Sequence, residues 1–302
     1  MASRGVRALY LVGEIGLTLG ICACGSVLPF MIPASDSNST DSLPSKDTVT
    51  FSADWSVDAM KGGWSTLQAV RGSSIAANST TWHGLTSARV EVRPGDDPLG
   101  TTGERAEVAV MKNRGKPSFE NAASGTVYFA VSYKLPTDWR ANTSGWSIVF
   151  ALQGPDSLAY SPALALNADD AYSLTIHAGD LRSNTAPGSF HDLAFSDPNL
   201  NLGKWSDFII GVVFSPTASG SVTVWRRNEG QASFVRVAEV TGIATLQYNG
   251  AVSAIVEDHY WKQGLFRSDA SFTNVLWMGP TARGGSFKSV ERTAFGTATG
   301  MP

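Results

Sequence analysis

The sequence predicts an all-β fold, a two-sheet antiparallel sandwich or jelly roll, on three grounds. Apolar residues recur with a period of two, Gly, Pro, Asn and Asp cluster between the apolar runs, and no long helical pattern appears. Composition agrees: charged residues make up 16% of 302 while Gly numbers 30 and Trp 9, a balance suited to short strands and turns. A hydrophobic content of 43% can fill one substantial core, and sandwiches of about 200 to 250 residues are routinely single domains.

The chain opens on a segment of another kind. Arg4 and Arg7 precede an apolar run from Ala8 to Ala23, the order of a secretory signal, so residues 1–34 are expected to be a signal peptide or signal anchor. Glu14 interrupts the run and favours a cleaved signal over a spanning helix. Ile21-Cys22-Ala23-Cys24 is also similar to a bacterial lipoprotein cleavage site, so a surface anchor stays open beside secretion. Residues 35–46 are rich in Ser, Asp and Asn and read as a flexible polar linker. Residues 47–302 are expected to form the folded domain. The 2 cysteines, Cys22 and Cys24, both lie in the leader, so the domain has neither disulfide nor thiolate chemistry. Asn38, Asn78 and Asn142 each begin an Asn-x-Ser/Thr triplet, consistent with surface glycosylation in a eukaryotic host.

The clearest strand pattern is Val127, Phe129, Val131, Tyr133 and Leu135 alternating with Tyr128, Ala130, Ser132 and Lys134. Similar runs are Arg89–Arg93, Glu104–Met111, Trp146–Gln153, Ala163–Asn167, Tyr172–His177, Phe208–Phe214, Ser221–Arg226, Phe234–Val240, His259–Arg267 and Asn274–Met278. A sandwich of such strands commonly offers a groove on one curved sheet.

Several chemistries drop out. A net charge of -3 lacks the basic footprint of a nucleic-acid binder, so no such partner is expected. The histidines His83, His177, His191 and His259 have no zinc-ligand spacing, and no Gly-rich phosphate loop follows a strand. Glu104 and Glu107 have opposite strand parity, which weakens them as a paired-acid hydrolase site. Asp156 and Asp207 do not form a calcium loop.

Three segments remain. They are Gly103-Glu104-Arg105-Ala106-Glu107-Val108, Trp146 to Ser157 ending Gln153-Gly154-Pro155-Asp156-Ser157, and His259-Tyr260-Trp261-Lys262-Gln263-Gly264-Leu265-Phe266-Arg267. The first resembles the Arg-Ser/Thr-Glu-Leu strand of jelly-roll alginate lyases and its counterpart in heparin lyase I and glucuronan lyases. The last is similar to those families' Lys-x-Gly-x-Tyr strand, and the second to their central Gln-x-His strand. Order and spacing fit the heparin lyase I-like and glucuronan lyase group best. The resemblance implies a concanavalin A-like β-jelly roll and a secreted, monomeric lyase acting on an anionic polysaccharide, glucuronan first and alginate next. It implies no required cofactor and leaves room for a structural calcium.

Residues two apart on a strand share a face, which groups Tyr260, Lys262 and Phe266, and separately Arg105 and Glu107. Elimination must neutralise a uronate carboxylate, remove the C5 proton and protonate the leaving O4. Arg105 and Lys262 supply charge, and Arg105, Glu107, Phe266 and Arg267 are the expected substrate contacts. The sequence departs from the family at two places. Gln153 stands where the catalytic His is usual, and Phe266 where the tyrosine is usual. Two readings follow: Tyr260 transfers protons with Gln153 and Lys262 as partners, or the protein is a catalytically inactive carbohydrate-binding relative. By parity Trp261 and Arg267 fall on the opposite face, where a core Trp and a strand-end surface Arg are the simpler roles.

Overall fold

The computed structural model describes residues 48–100, 103–110, 112–113, 116–117, 125–143, 145–154, 162–180, 191–248 and 259–296. The expected leader and linker, with Asp156, lie outside these residues. In chain order the strands are β1 (Val49–Ala53), β2 (Thr66–Ala69), β3 (Ile75–Trp82), β4 (Leu85–Val92), β5 (Glu104–Val110), β6 (Lys112–Asn113) and β7 (Lys116–Pro117). There follow β8 (Thr126–Lys134), β9 (Ser147–Gln153), β10 (Leu164–Ala168), β11 (Tyr172–Ile176), β12 (Gly179–Asp180), β13 (His191–Asp197) and β14 (Trp205–Val213). The last are β15 (Gly220–Asn228), β16 (Val235–Ile243), β17 (Gln247–Tyr248), β18 (Tyr260–Arg267), β19 (Asn274–Met278) and β20 (Thr281–Gly284), followed by helix α1 (Phe287–Phe295).

Two antiparallel sheets form a sandwich, as the period of two predicts. The nine-stranded sheet runs β16-β15-β14-β8-β19-β4-β3, with β20 paired to both β8 and β1. The seven-stranded sheet runs β13-β11-β10-β9-β18-β5-β2. This is the concanavalin A-like β-jelly roll that the sequence pattern and resemblance imply.

Alternation decides what fills the space between the sheets. Phe129, Val131 and Tyr133 of β8 and Phe208, Ile210 and Val212 of β14 face Phe150 and Leu152 of β9 and Trp261 and Leu265 of β18. Phe129 meets the Phe150 and Trp261 rings edge-on, with centroids 5.6 and 5.3 Å apart. Burying each side chain of this size is worth about 1.5–3 kcal/mol, so this layer dominates the cohesion of the sheets. Across the gap Tyr133 Oη donates to the Val149 carbonyl at 2.7 Å, which satisfies that buried hydroxyl.

Helix α1 covers part of the other face of the nine-stranded sheet. Phe287, Val290, Ala294 and Phe295 pack with Ala130, Ile209, Trp225, Phe234 and Ala282. Ser286 caps it by accepting from the Ser289 N–H, and Gly296 ends it in the left-handed region at φ 67°.

Candidate active site

Strands β9, β18, β5 and β2 lie side by side in the seven-stranded sheet, and their register sets the site. Gln153 stands opposite Tyr260, Lys262 between Ala151 and Ala109, Phe266 opposite Arg105, and Glu107 between Gly264 and Gln68. Residues opposite one another share a face, so Gln153, Tyr260, Lys262, Phe266, Arg105, Glu107 and Gln68 all project from one face of the sheet, and Tyr260, at the start of β18, is also buried against the core cluster. Alanines on both sides of Lys262 leave room for its long stem. The register brings the Tyr260, Lys262 and Phe266 group and the Arg105 and Glu107 group onto one face, with Gln153.

Gly264 makes the geometry of β18 attainable. It has φ 151°, and a Cβ there would lie 2.2 Å from the Ala106 carbonyl oxygen. At this point β18 carries one extra residue against β9, between Gln263 and Phe266, which is a β-bulge of the kind that re-aims side chains beside functional sites.

Charge is concentrated under cover. Glu107 Oε2 lies 2.5 Å from Lys262 Nζ and 3.7 Å from an Arg105 guanidinium nitrogen. Arg105 and Lys262 are only 4% and 3% exposed, so these charges interact through a medium far less screening than water. Within the cluster two cations meet one carboxylate, and the Asp97 carboxylate also acts on Arg105. Burial lowers the Arg105 pKa from its ordinary value, with nearby Glu107 opposing the shift. The Phe266 ring gives both cations an apolar partner: the Arg105 guanidinium carbon lies 3.7 Å, and Lys262 Nζ 5.2 Å, from its centroid. Trp146 packs edge-on against the same ring at 4.2 Å.

Arg267, expected to contact substrate, does not belong to this face. It is 0% exposed and turned toward the interior, where it donates to Glu104 at 2.9 Å, to Asn274 Oδ1 at 2.5 Å and to the Phe272 carbonyl at 2.6 Å. Parity gives the side correctly, but the sheet end is covered, so the strand-end surface role also fails. The same pair removes Glu104 from any acid couple with Glu107. Trp261 is a core residue as parity predicts.

Three histidines have partners outside the cation cluster. His259 Nε2 accepts from the Gln247 N–H at 2.8 Å, the Gln247 side chain donates to the His177 carbonyl at 2.6 Å, and His83 contacts Asp207 at 2.9 Å. The Asp207 oxygens take Trp82, Ser132, His83 and Arg227, and among the described residues no three acidic, His or Cys side chains converge on a metal position. Sequence reasoning missed Gln68 and the Trp146 wall. Gln68 is part-buried beside Glu107, with an Oε1 that has no hydrogen-bond partner. Its strand spans four residues, too few for a period to show.

The jelly roll thus carries a buried, charged face with a phenol and an amide beside it. Residues 50–281 match the pattern of the polysaccharide lyase family, and the chain belongs to that family. Among solved structures, it is similar to the endo-β-1,4-glucuronan lyase of the fungus Trichoderma reesei. That match has a TM-score of 0.59 and 14% identity, covering 80% of this chain and 98% of that one. The alginate lyase of Aplysia kurodai overlaps at TM-score 0.48 with 11% identity, over 78% of this chain and 98% of that one. The catalytic domain of a glycoside hydrolase family 131 protein from Coprinopsis cinerea overlaps at 0.47 with 12% identity, over 73% and 81%. The last two overlaps are too loose to bear on this chain. No curated protein matches it by sequence.

Proposed function

We propose that the protein cleaves a uronic-acid polymer by β-elimination, with glucuronan the leading substrate and alginate next. The supporting observation is the buried Arg105–Glu107–Lys262 cluster, whose two cations suit a carboxylate, beside Tyr260 and Gln153 on the same face. In this reading the uronate carboxylate sits against Arg105 and Lys262, which stabilise the charge that develops when C5 loses its proton. Glu107 holds the two cations in place. The Tyr260 phenolate takes the C5 proton, the C5 electron pair forms the C4=C5 double bond, and the C4–O4 bond breaks. The leaving O4 takes a proton from Tyr260, which restores the phenolate, while Gln153 hydrogen-bonds the carboxylate. Export through the Arg4–Ala23 leader and a monomeric state complete the proposal.

A second reading, an inactive polyuronate-binding protein, draws on Gln153 and Phe266 standing where proton-transfer residues are usual. The test is to incubate the protein with glucuronan, alginate and heparin and follow the ultraviolet absorbance of unsaturated uronate, which only elimination creates. Product from glucuronan supports the lyase. No product from wild type, together with product from Phe266→Tyr combined with Gln153→His, would give the second reading the site.

A further inference from the structure

The opposite sheet carries a feature that the elimination site does not use. On the outer face of the nine-stranded sheet, register aligns Arg89 with Trp277, Trp277 with Lys134, and Lys134 with Trp205. The row alternates cation and indole across four strands. Strands are spaced about 4.8 Å apart, so the three intervals span about 14 Å. Each single step between strands is close to the advance of one residue along a β-1,4-linked pyranose chain, so a chain lying across the strands would meet charge and ring in alternation.

Three of the four members reach the surface. Arg89 is 37% exposed in its side chain, and Lys134 and Trp277 are part-exposed. Trp205 is buried, but the part-exposed Trp82 stacks on it at 5.4 Å and 14°, bringing an indole to the surface at that end of the row. Asp207 holds the Trp82 N–H at 2.6 Å, which fixes that ring in place. Lys134 makes no ion pair among the described residues and lies 6.0 Å from the Trp277 ring centroid. Glu91 pairs with both Arg89 and Arg93, and Glu229 accepts from the Trp205 backbone N–H, so neither carboxylate pairs with Lys134.

We propose that this row is a second binding surface for the same anionic polysaccharide, on the sheet opposite the elimination site, which holds long polymer chains near the enzyme. Uronate carboxylates are the complement of Arg89 and Lys134, and pyranose faces the complement of Trp277 and Trp82. Packing alone would account for Trp205 and Trp82. It does not account for an unpaired lysine set over a second part-exposed indole. The inference rests on the substrate being a polyuronate.

The test uses affinity electrophoresis of the full chain in gels containing glucuronan, alginate or a neutral β-glucan. Turnover is measured in parallel on short oligouronates. Trp277→Ala should weaken glucuronan retardation about tenfold, as for a central aromatic anchor. Lys134→Ala should weaken it roughly twofold to fivefold, as for one exposed charge contact. Both should leave turnover of short oligouronates unchanged, and Lys262→Ala should lose turnover but stay retarded. If Trp277→Ala misfolds, the exposed Lys134→Ala decides alone. Retardation of both variants equal to wild type would overturn the second surface and leave the elimination site standing. Equal retardation by neutral β-glucan would overturn an anionic occupant. A wild type that is neither retarded nor active on any polyuronate would take down the proposed function and this inference together.

Discussion

At the scale of single residues, Glu107 shows how one face of a sheet can be both charged and buried. A lone carboxylate 2% exposed would be costly, yet Lys262 and Arg105 surround it, and the cations in turn rest on the Phe266 ring. Phe266 therefore serves as an apolar platform under two cations. If Lys262 neutralises the uronate, Lys262→Ala should lower turnover about a hundredfold or more, and Tyr260→Phe should be comparably damaging. Initial rates on glucuronan check both, and an active wild type indifferent to Tyr260→Phe would move the proton-carrier role elsewhere. Asp169, between β10 and β11, gives a test by pH. Burial pushes its carboxyl up from 3.8 to about 6, with hydrogen bonding from Ser147 opposing. The folded state thus binds the proton more tightly, so this group's contribution is fully present below about pH 4 and lost as pH rises through about 6. Asp169→Asn should remove that loss, giving a higher Tm than wild type at pH 7 and no difference near pH 4. An equal Tm gap at both values would place the cause outside this titration.

At the scale of elements, β18 does two jobs with one alternation. Tyr260, Lys262 and Phe266 serve the outer face, while Trp261 and Leu265 fill the core and Arg267 anchors the strand end. Arg267→Ala would strand Glu104, itself 3% exposed, without its cation, and should cost about 3–5 kcal/mol. Urea unfolding reads this directly, and a loss within a few tenths of a kcal/mol would show that solvent reaches Glu104. The same strands show what the sequence makes legible. Val127–Leu135 and the Tyr260–Arg267 segment alternate cleanly because one of their faces packs on the core. β3, with Asn, Ser and Thr at its centre, and β13 carry too little apolar contrast to be read. The grouping of Arg105 with Lys262 follows from parity and family likeness. The fate of Arg267 does not, because its partner Glu104 is 163 residues away and only strand pairing brings them together. Gln68 stays hidden for the same reason, since the register of β2 against β5 is a long-range property.

At the scale of the whole molecule, the start of the folded domain is tied to both its end and its site. The Thr48 carbonyl accepts from the Gly285 N–H at 3.0 Å, and β1 pairs with β20 from Val49–Gly284 to Ala53–Thr281. Phe51 projects from β1 onto Trp64 and onto Trp261 of β18, with ring centroids 5.0 and 5.4 Å away. Everything before Thr48 lacks such a role in the sequence reading, where residues 1–34 are the leader and 35–46 the linker. Dispensability should therefore change abruptly at β1, because tolerance to truncation follows the burial and pairing of the backbone removed. A chain beginning at Ser45 should unfold cooperatively with the Tm of the full chain. One beginning at Asp54 should lose at least roughly 3–5 kcal/mol, the cost of deleting one packed Phe side chain. Because Phe51 supports Trp261, the shorter chain should also lose turnover, as the inner face of β18 loosens behind Lys262. Thermal unfolding and initial rates on the two truncated chains check this. Failure of the Ser45 chain to fold would mean that residues before Ser45 contribute to the domain.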